Sequence, residues 1–328
     1  MNTNKQAETL ITDFESKLSA DADNLNFEEA KRLVGIFGIL ILGTDSHGAI
    51  NWSRLSSYDF DQLNNPGDIN HFFAGNPKGN VDPDNMRIVN ALYLLLFGYH
   101  LWIERTGQLG TGKPFRGDTM NSANTVLGFF NYPEGDFTKR LQLALGPAAS
   151  QDFWHLVTDF YYGPRSYHRI GNFLPIQNDL LAGMKTLNQA RGYGGETKDF
   201  FDVFLSNVQV FATFRNSSDL ASEFAAAHDA KYGFPGSPAE FADYIENYCL
   251  NSYCSGREFQ IEPYPISGLD DPRNTKKTVS TFRGRQACKN GTEEEYVNLA
   301  KDYIVKATKH IDTRGEALTN RLQMILGA

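Results

Sequence analysis

A chain of 328 residues, 41% hydrophobic and 13% aromatic, carries enough apolar material for a substantial buried core, which excludes the disordered and fibrous classes. Its net charge of −8 argues against non-specific binding to nucleic acid or to an anionic membrane. Three cysteines, Cys249, Cys254 and Cys288, are too few for a disulfide framework and are read as reduced thiols, which predicts a cytoplasmic location.

The first residues show no basic stretch followed by an apolar run, so no signal peptide is expected. The longest apolar runs, 33–42 and 91–102, fall short of the roughly 20 residues that span a bilayer and are expected to be buried helices. Four residues separate Cys249 from Cys254, a spacing that suits two zinc ligands, but Cys288 is the one obvious third. No metal site is therefore assigned, and no cofactor is named.

In chain order, residues 5–20 read as a modest amphipathic helix with Leu10, Phe14 and Leu18 on one face. Asn26 caps a stronger helix, with Glu29 placed for a capping box, that runs through Leu33, Phe37 and Leu40 to Gly43. Apolar residues surround it on nearly all sides, so it is expected near the centre. Residues 44–81 read as irregular, punctuated by Gly, Asn, Pro and Asp, with DSHGAINWS as a loop or short hairpin. Asp82 and Pro83 open the most hydrophobic helix, to about residue 105.

A glycine-rich loop is expected over 106–122, then helices over 136–145, stopped by Gly146, and 150–162, capped by Ser150. Thr197, Ser218 and Ser237 cap three further helices. Residues 251–290 lack helical periodicity; EFQIEPYPI and KTVSTFRG read as short strands or extended loops. A helical segment closes the chain from about 292 to 326, with a break expected at 312–315. The predicted fold is mainly α: a compact multi-helix domain over 1–290 with long irregular loops and at most a small β element, and a C-terminal helical segment over 291–328 packed on it.

Some apparent motifs carry nothing. Gly107 to Lys113 matches a phosphate-binding loop in spacing, but Pro114 stands where Ser or Thr should hold magnesium, and the preceding segment reads as helix. The Asp-x-Asp pairs Asp21/Asp23, Asp59/Asp61 and Asp82/Asp84 sit at turns and helix starts, where capping and solvation explain them. His100, alone in an apolar helix, reads as a core residue.

Two segments concentrate groups suited to chemistry. FRGDTMNS, 115–122, crowds Arg116, Asp118, Thr119, Asn121 and Ser122 into seven residues. The stretch 161–207 adds His168, Arg169 and Asn172, then Asn188 and Arg191, before an apolar helix whose polar face carries Asp202. A histidine exchanges a proton near neutral pH, and a neighbouring arginine holds an anion. His168, Arg169 and Asp118 are the candidate catalytic residues. Arg116, Asn121, Asn172, Asn188, Arg191 and Asp202 are the candidate binding residues.

The segments GDTMNS, IGNFLP, LNQARG and DFFDVFL, at 117–122, 170–175, 187–192 and 199–205, resemble a group of uncharacterised bacterial proteins. That resemblance implies no activity; it supports treating the two polar segments as parts of one site. The expected function is action on a nucleotide, nucleic-acid or other phosphoester substrate through a His/Arg/Asn pocket. The rival class is a non-catalytic binding or regulatory protein, for example a host–phage interaction module. The expected partner is a small anionic ligand or nucleotide, without a membrane; oligomeric state is left open.

Overall fold

A computed structural model describes residues 3–17, 25–75, 81–98, 115–119, 134–162, 168–177, 237–255, 260–261 and 293–327, with single helical positions at 205, 208, 209 and 212. These residues form seven α-helices: α1 Thr3–Glu15, α2 Phe27–Phe37, α3 Asp68–Ala74, α4 Arg87–Gly98, α5 Glu134–Tyr162, α6 Pro238–Asn247 and α7 Glu293–Leu326. Strands β1 Phe115–Thr119 and β2 Phe173–Gln177 form one two-stranded sheet, and β3 Cys254–Ser255 and β4 Gln260–Ile261 another. The fold is mainly α with small β elements. Among the described residues no helix is long and apolar enough to cross a membrane.

Contacts divide the chain into two compact units. One comprises Met1–Asp118, His168–Leu180 and Gly315–Ala328; the other comprises Thr119–Tyr167 and Leu181–Arg314.

The first unit is built on α2 and α4. Asn26 accepts from the Glu29 amide at 2.9 Å, and the Glu29 carboxylate accepts from the Asn26 amide at 2.8 Å, completing the expected capping box. Leu33, Val34, Ile36 and Phe37 of α2 are buried, whereas Ile39 beyond it is partly exposed. The helix does not continue in α form to Gly43. From Gly38 to Leu42 the backbone widens into a π-helical turn, and Arg54 closes its end by donating to the Leu42 carbonyl at 2.6 Å. In α4 every residue from Ile88 except the half-buried Asn90 is buried, which agrees with its being read as the most hydrophobic helix; the expected continuation past Gly98 lies outside the described residues.

Residues 44–75 are less irregular than expected. Asp45 accepts from the amides of His47 and Ala49, which folds DSHGAINWS into a tight loop closed by an antiparallel bridge between Thr44 and Ile50. Short 3₁₀ turns follow at Trp52–Arg54 and Phe60–Asn64, and α3 buries Phe72, Phe73 and Ala74. Seven residues give α3 too little length for its periodicity to stand out in sequence.

In the second unit α5 joins the two expected helices across a kink. Gly146 takes φ 81°, a left-handed value glycine tolerates, and the second half starts at Pro147, leaving Ser150 buried inside the helix rather than capping it. Phe153, Val157 and Phe160 form its buried stripe, and Phe160 meets Tyr303 of α7 edge-on at 6.4 Å. Ser237 caps α6 by accepting from Glu240, as its sequence predicts. Arg314 is fully buried and donates through Nε to the Tyr248 carbonyl at 3.0 Å. Cys249 and Cys254 are free thiols.

The break expected at 312–315 does not occur; α7 is continuous. Gly315 serves proximity instead. A Cβ there would stand 3.2 Å from the Ser56 carbonyl oxygen, a contact within the first unit that glycine keeps open.

Candidate functional site

The segment FRGDT is a strand rather than a loop. It is β1, and its partner is β2, which begins directly after Asn172. Hydrogen bonding between these strands brings the segment that carries Arg116 and Asp118 beside the segment that follows His168, Arg169 and Asn172. Neither strand announces itself in sequence, because each is short and its partner lies more than fifty residues away along the chain.

The start of the second segment is anchored to residues 60–64. The Phe60 amide donates to the His168 carbonyl at 3.1 Å, and the Phe60 ring packs on Phe173 at 5.8 Å. A 3₁₀ turn over Ile170–Asn172 then leads into β2, with the Asn172 amide donating to the Arg169 carbonyl at 2.9 Å. Ile170, Phe173 and Leu174 are fully buried and fix this backbone against the core.

His168 is half-buried. Burial lowers its pKa from the ordinary 6.5, against the opposing pull of two carboxylates, Asp61 and Asp82. Desolvation outweighs them, so the neutral imidazole is favoured over the protonated one. Asn64 organises those carboxylates. It donates to Asp61 at 2.9 Å and to the Val81 carbonyl at 3.0 Å, and it accepts from the Val81 amide at 3.0 Å. One amide side chain thus ties the turn bearing Asp61 to the residue before Asp82.

Arg169 and Asn172 are buried, at 7% and 0% exposure. Both are held inside the unit, so neither stands open to solvent as a clamp would. Arg116 and Asp118 lie on β1. Asn121, Asn188, Arg191 and Asp202 lie outside the described residues. In the helix expected after Thr197, the described positions Leu205, Val208 and Ala212 are buried and Gln209 is half-exposed, in keeping with an apolar face.

Asp61, Asp82 and Asn64 are the residues that sequence reasoning passes over. Their signal is two of the three Asp-x-Asp motifs that capping explains: Asp59 does cap, accepting from the Asp61 amide at 3.0 Å, while Asp61 itself favours the charged form of His168. Among the described residues, no group of three or more His, Cys, Asp or Glu side chains is placed to hold a metal ion.

The lowered His168 pKa has a thermodynamic consequence. The unfolded chain takes up a proton on this histidine near pH 6.5 while the folded one resists, so the contribution of neutral His168 is complete above pH 6.5 and is lost as pH falls toward the depressed folded value. We expect the stability difference between the wild type and His168→Gln to shift in favour of the variant between neutral pH and about pH 5. Parallel urea melts across that range check it; a difference independent of pH contradicts the assignment.

Comparison with protein-family models, with curated proteins and with solved structures finds no match, so the functional reading rests on the residues themselves.

Proposed function

We propose that the protein is an enzyme acting on a phosphoester of a nucleotide, a nucleic acid or another small anionic molecule, with His168 as the proton carrier. The observation that carries this reading is the state of His168: half-buried, held neutral by desolvation, and within electrostatic reach of Asp61 and Asp82. A neutral imidazole takes the proton from an attacking water or hydroxyl. The resulting imidazolium is stabilised by the two carboxylates, and it returns the proton to the leaving oxygen. The sheet between β1 and β2 supports a contribution from Arg116 as the anion clamp and from Asp118 as a positioning group. The burial of Arg169 and Asn172 supports a holding role for both, fixing the turn that presents His168. A cytoplasmic setting fits the free thiols of Cys249 and Cys254.

The same burial favours a second reading, a non-catalytic binding protein in which the 168–172 turn knits the fold together. Turnover separates the two. Purified protein is assayed against p-nitrophenyl phosphate, bis-p-nitrophenyl phosphate and a nucleotide panel. The enzymatic reading expects turnover of at least one substrate, reduced about a hundredfold in His168→Gln with the thermal midpoint preserved at neutral pH. A silent panel, or turnover that survives the substitution, supports the binding protein.

A further inference from the structure

Away from His168, α1, α3 and the start of α4 line an open cleft of about 820 Å³, within the size range of small-molecule sites. Its floor is Arg87. The guanidinium lies over the Phe72 ring, 5.6 Å from the centroid, and Nη1 donates to the Phe72 carbonyl at 3.2 Å. Nε is buried without a hydrogen-bond partner, and no carboxylate pairs with this cation among the described residues. An arginine taken partly out of water, with Nε buried and one backbone acceptor on Nη1, keeps its remaining Nη donors for an anion.

The approach of the chain to Arg87 is close. Gly75 takes φ 82°, and a Cβ there would stand 3.0 Å from the Arg87 Cβ, so the wall beside the arginine is shaped around a missing side chain.

The rim has the opposite charge. Glu8, Ile11, Thr12 and Glu15 follow the i, i+3, i+4, i+7 spacing of one helical face, and all four line the cleft from α1. Asp68 lines it from α3. A simple anion drawn to Arg87 meets three carboxylates, and a simple cation drawn to those carboxylates meets Arg87. A molecule bearing both charges satisfies floor and rim together. Ile11, Ile69 and Phe72 supply an apolar wall for whatever joins them.

We propose that this cleft binds a zwitterion of amino-acid or dipeptide size, its carboxylate on Arg87 and its ammonium toward Glu8, Glu15 and Asp68. Titration calorimetry on the full chain with glycyl-leucine, its C-terminal amide, its N-acetyl derivative and inorganic phosphate tests it. Glycyl-leucine is expected to bind most tightly, with at least a tenfold loss for each singly charged derivative and for phosphate. Glu15→Gln, an exposed change that leaves packing intact, is expected to weaken binding, and Arg87→Lys, which keeps the charge but loses the planar fork, to weaken it further. Failure of glycyl-leucine to bind at millimolar concentration overturns the proposal. So does equal binding of the N-acetyl derivative or phosphate, which marks a plain anion site, and so does affinity unchanged in both variants.

Discussion

Phe37→Ala is expected to destabilise the protein by about 3–5 kcal/mol, the range for emptying a large aromatic position in a packed core. Phe37 is fully buried and stands at the junction of three other rings. Tyr58 meets it edge-on at 5.4 Å, Phe73 edge-on at 5.2 Å, and Phe60 lies parallel at 6.0 Å. Tyr58 and Phe60 also meet each other edge-on at 5.1 Å, so the rings support one another around a common centre. Removing the central ring leaves a cavity that Tyr58, Phe60 and Phe73 cannot fill together without leaving their own contacts. Burial, reinforced by the Asp59 carboxylate, pushes the Tyr58 phenol above its ordinary range, so ionising Tyr58 offers no relief at neutral pH. Phe37→Leu, which keeps most of the volume, is expected to cost distinctly less. Urea unfolding of both variants beside the wild type measures the difference. A loss below about 1 kcal/mol for the alanine variant means that this cluster is not the centre of the unit's stability. The same cluster reaches the candidate site, since Phe60 packs on Phe173 and its amide holds His168. Phe37→Ala is therefore expected to lower any His168-dependent turnover beyond what global unfolding accounts for.

What could be read from the sequence is what local chemistry dictates. Asn26 with Glu29, Ser237 with Glu240, and Gly146 each act through residues within four positions, and each does what its residue type predicts. Features that depend on distant partners escape such reading. The strand at 115–119 is polar and glycine-bearing and becomes a strand by pairing with 173–177. Gly315 has the local character of a helix break, yet it sits in a continuous helix because Ser56 comes close. The site divides along the same line. His168 is noticeable as a histidine in polar company. Asp61 and Asp82 act on it from segments about a hundred residues earlier, and their local role as turn residues masks that action. Asn64 is ordinary in sequence, and its importance lies wholly in the three hydrogen bonds it makes.

Gly38→Val is expected to cost about 3 kcal/mol, the upper part of the usual range for forcing extra volume into a packed interior. Gly38 begins the π turn and has ordinary right-handed helical angles, φ −56° and ψ −47°, so backbone conformation alone does not demand glycine. Space does. A Cβ there would stand 2.8 Å from Ile50 Cγ2, 3.0 Å from Ile50 Cδ1 and 3.0 Å from the Trp52 ring. Ile50 is β-branched with a stiff first torsion, and its backbone is bridged to Thr44. Trp52 is buried at 4% exposure. Neither neighbour withdraws without carrying its segment along. Two opposing effects then set a graded series. In Gly38→Ala the gain in helix propensity, about 1 kcal/mol, offsets part of the clash, and a small net loss is expected. In Gly38→Val the propensity gain shrinks while two methyl groups enter the same space, so the clash dominates. Thermal and urea unfolding of the three proteins, glycine, alanine and valine, give the order directly. If valine at this position is as stable as glycine, the 44–52 loop does not pack on the π turn as described, and the route by which Arg54 and residues 60–64 are positioned would have to be redrawn.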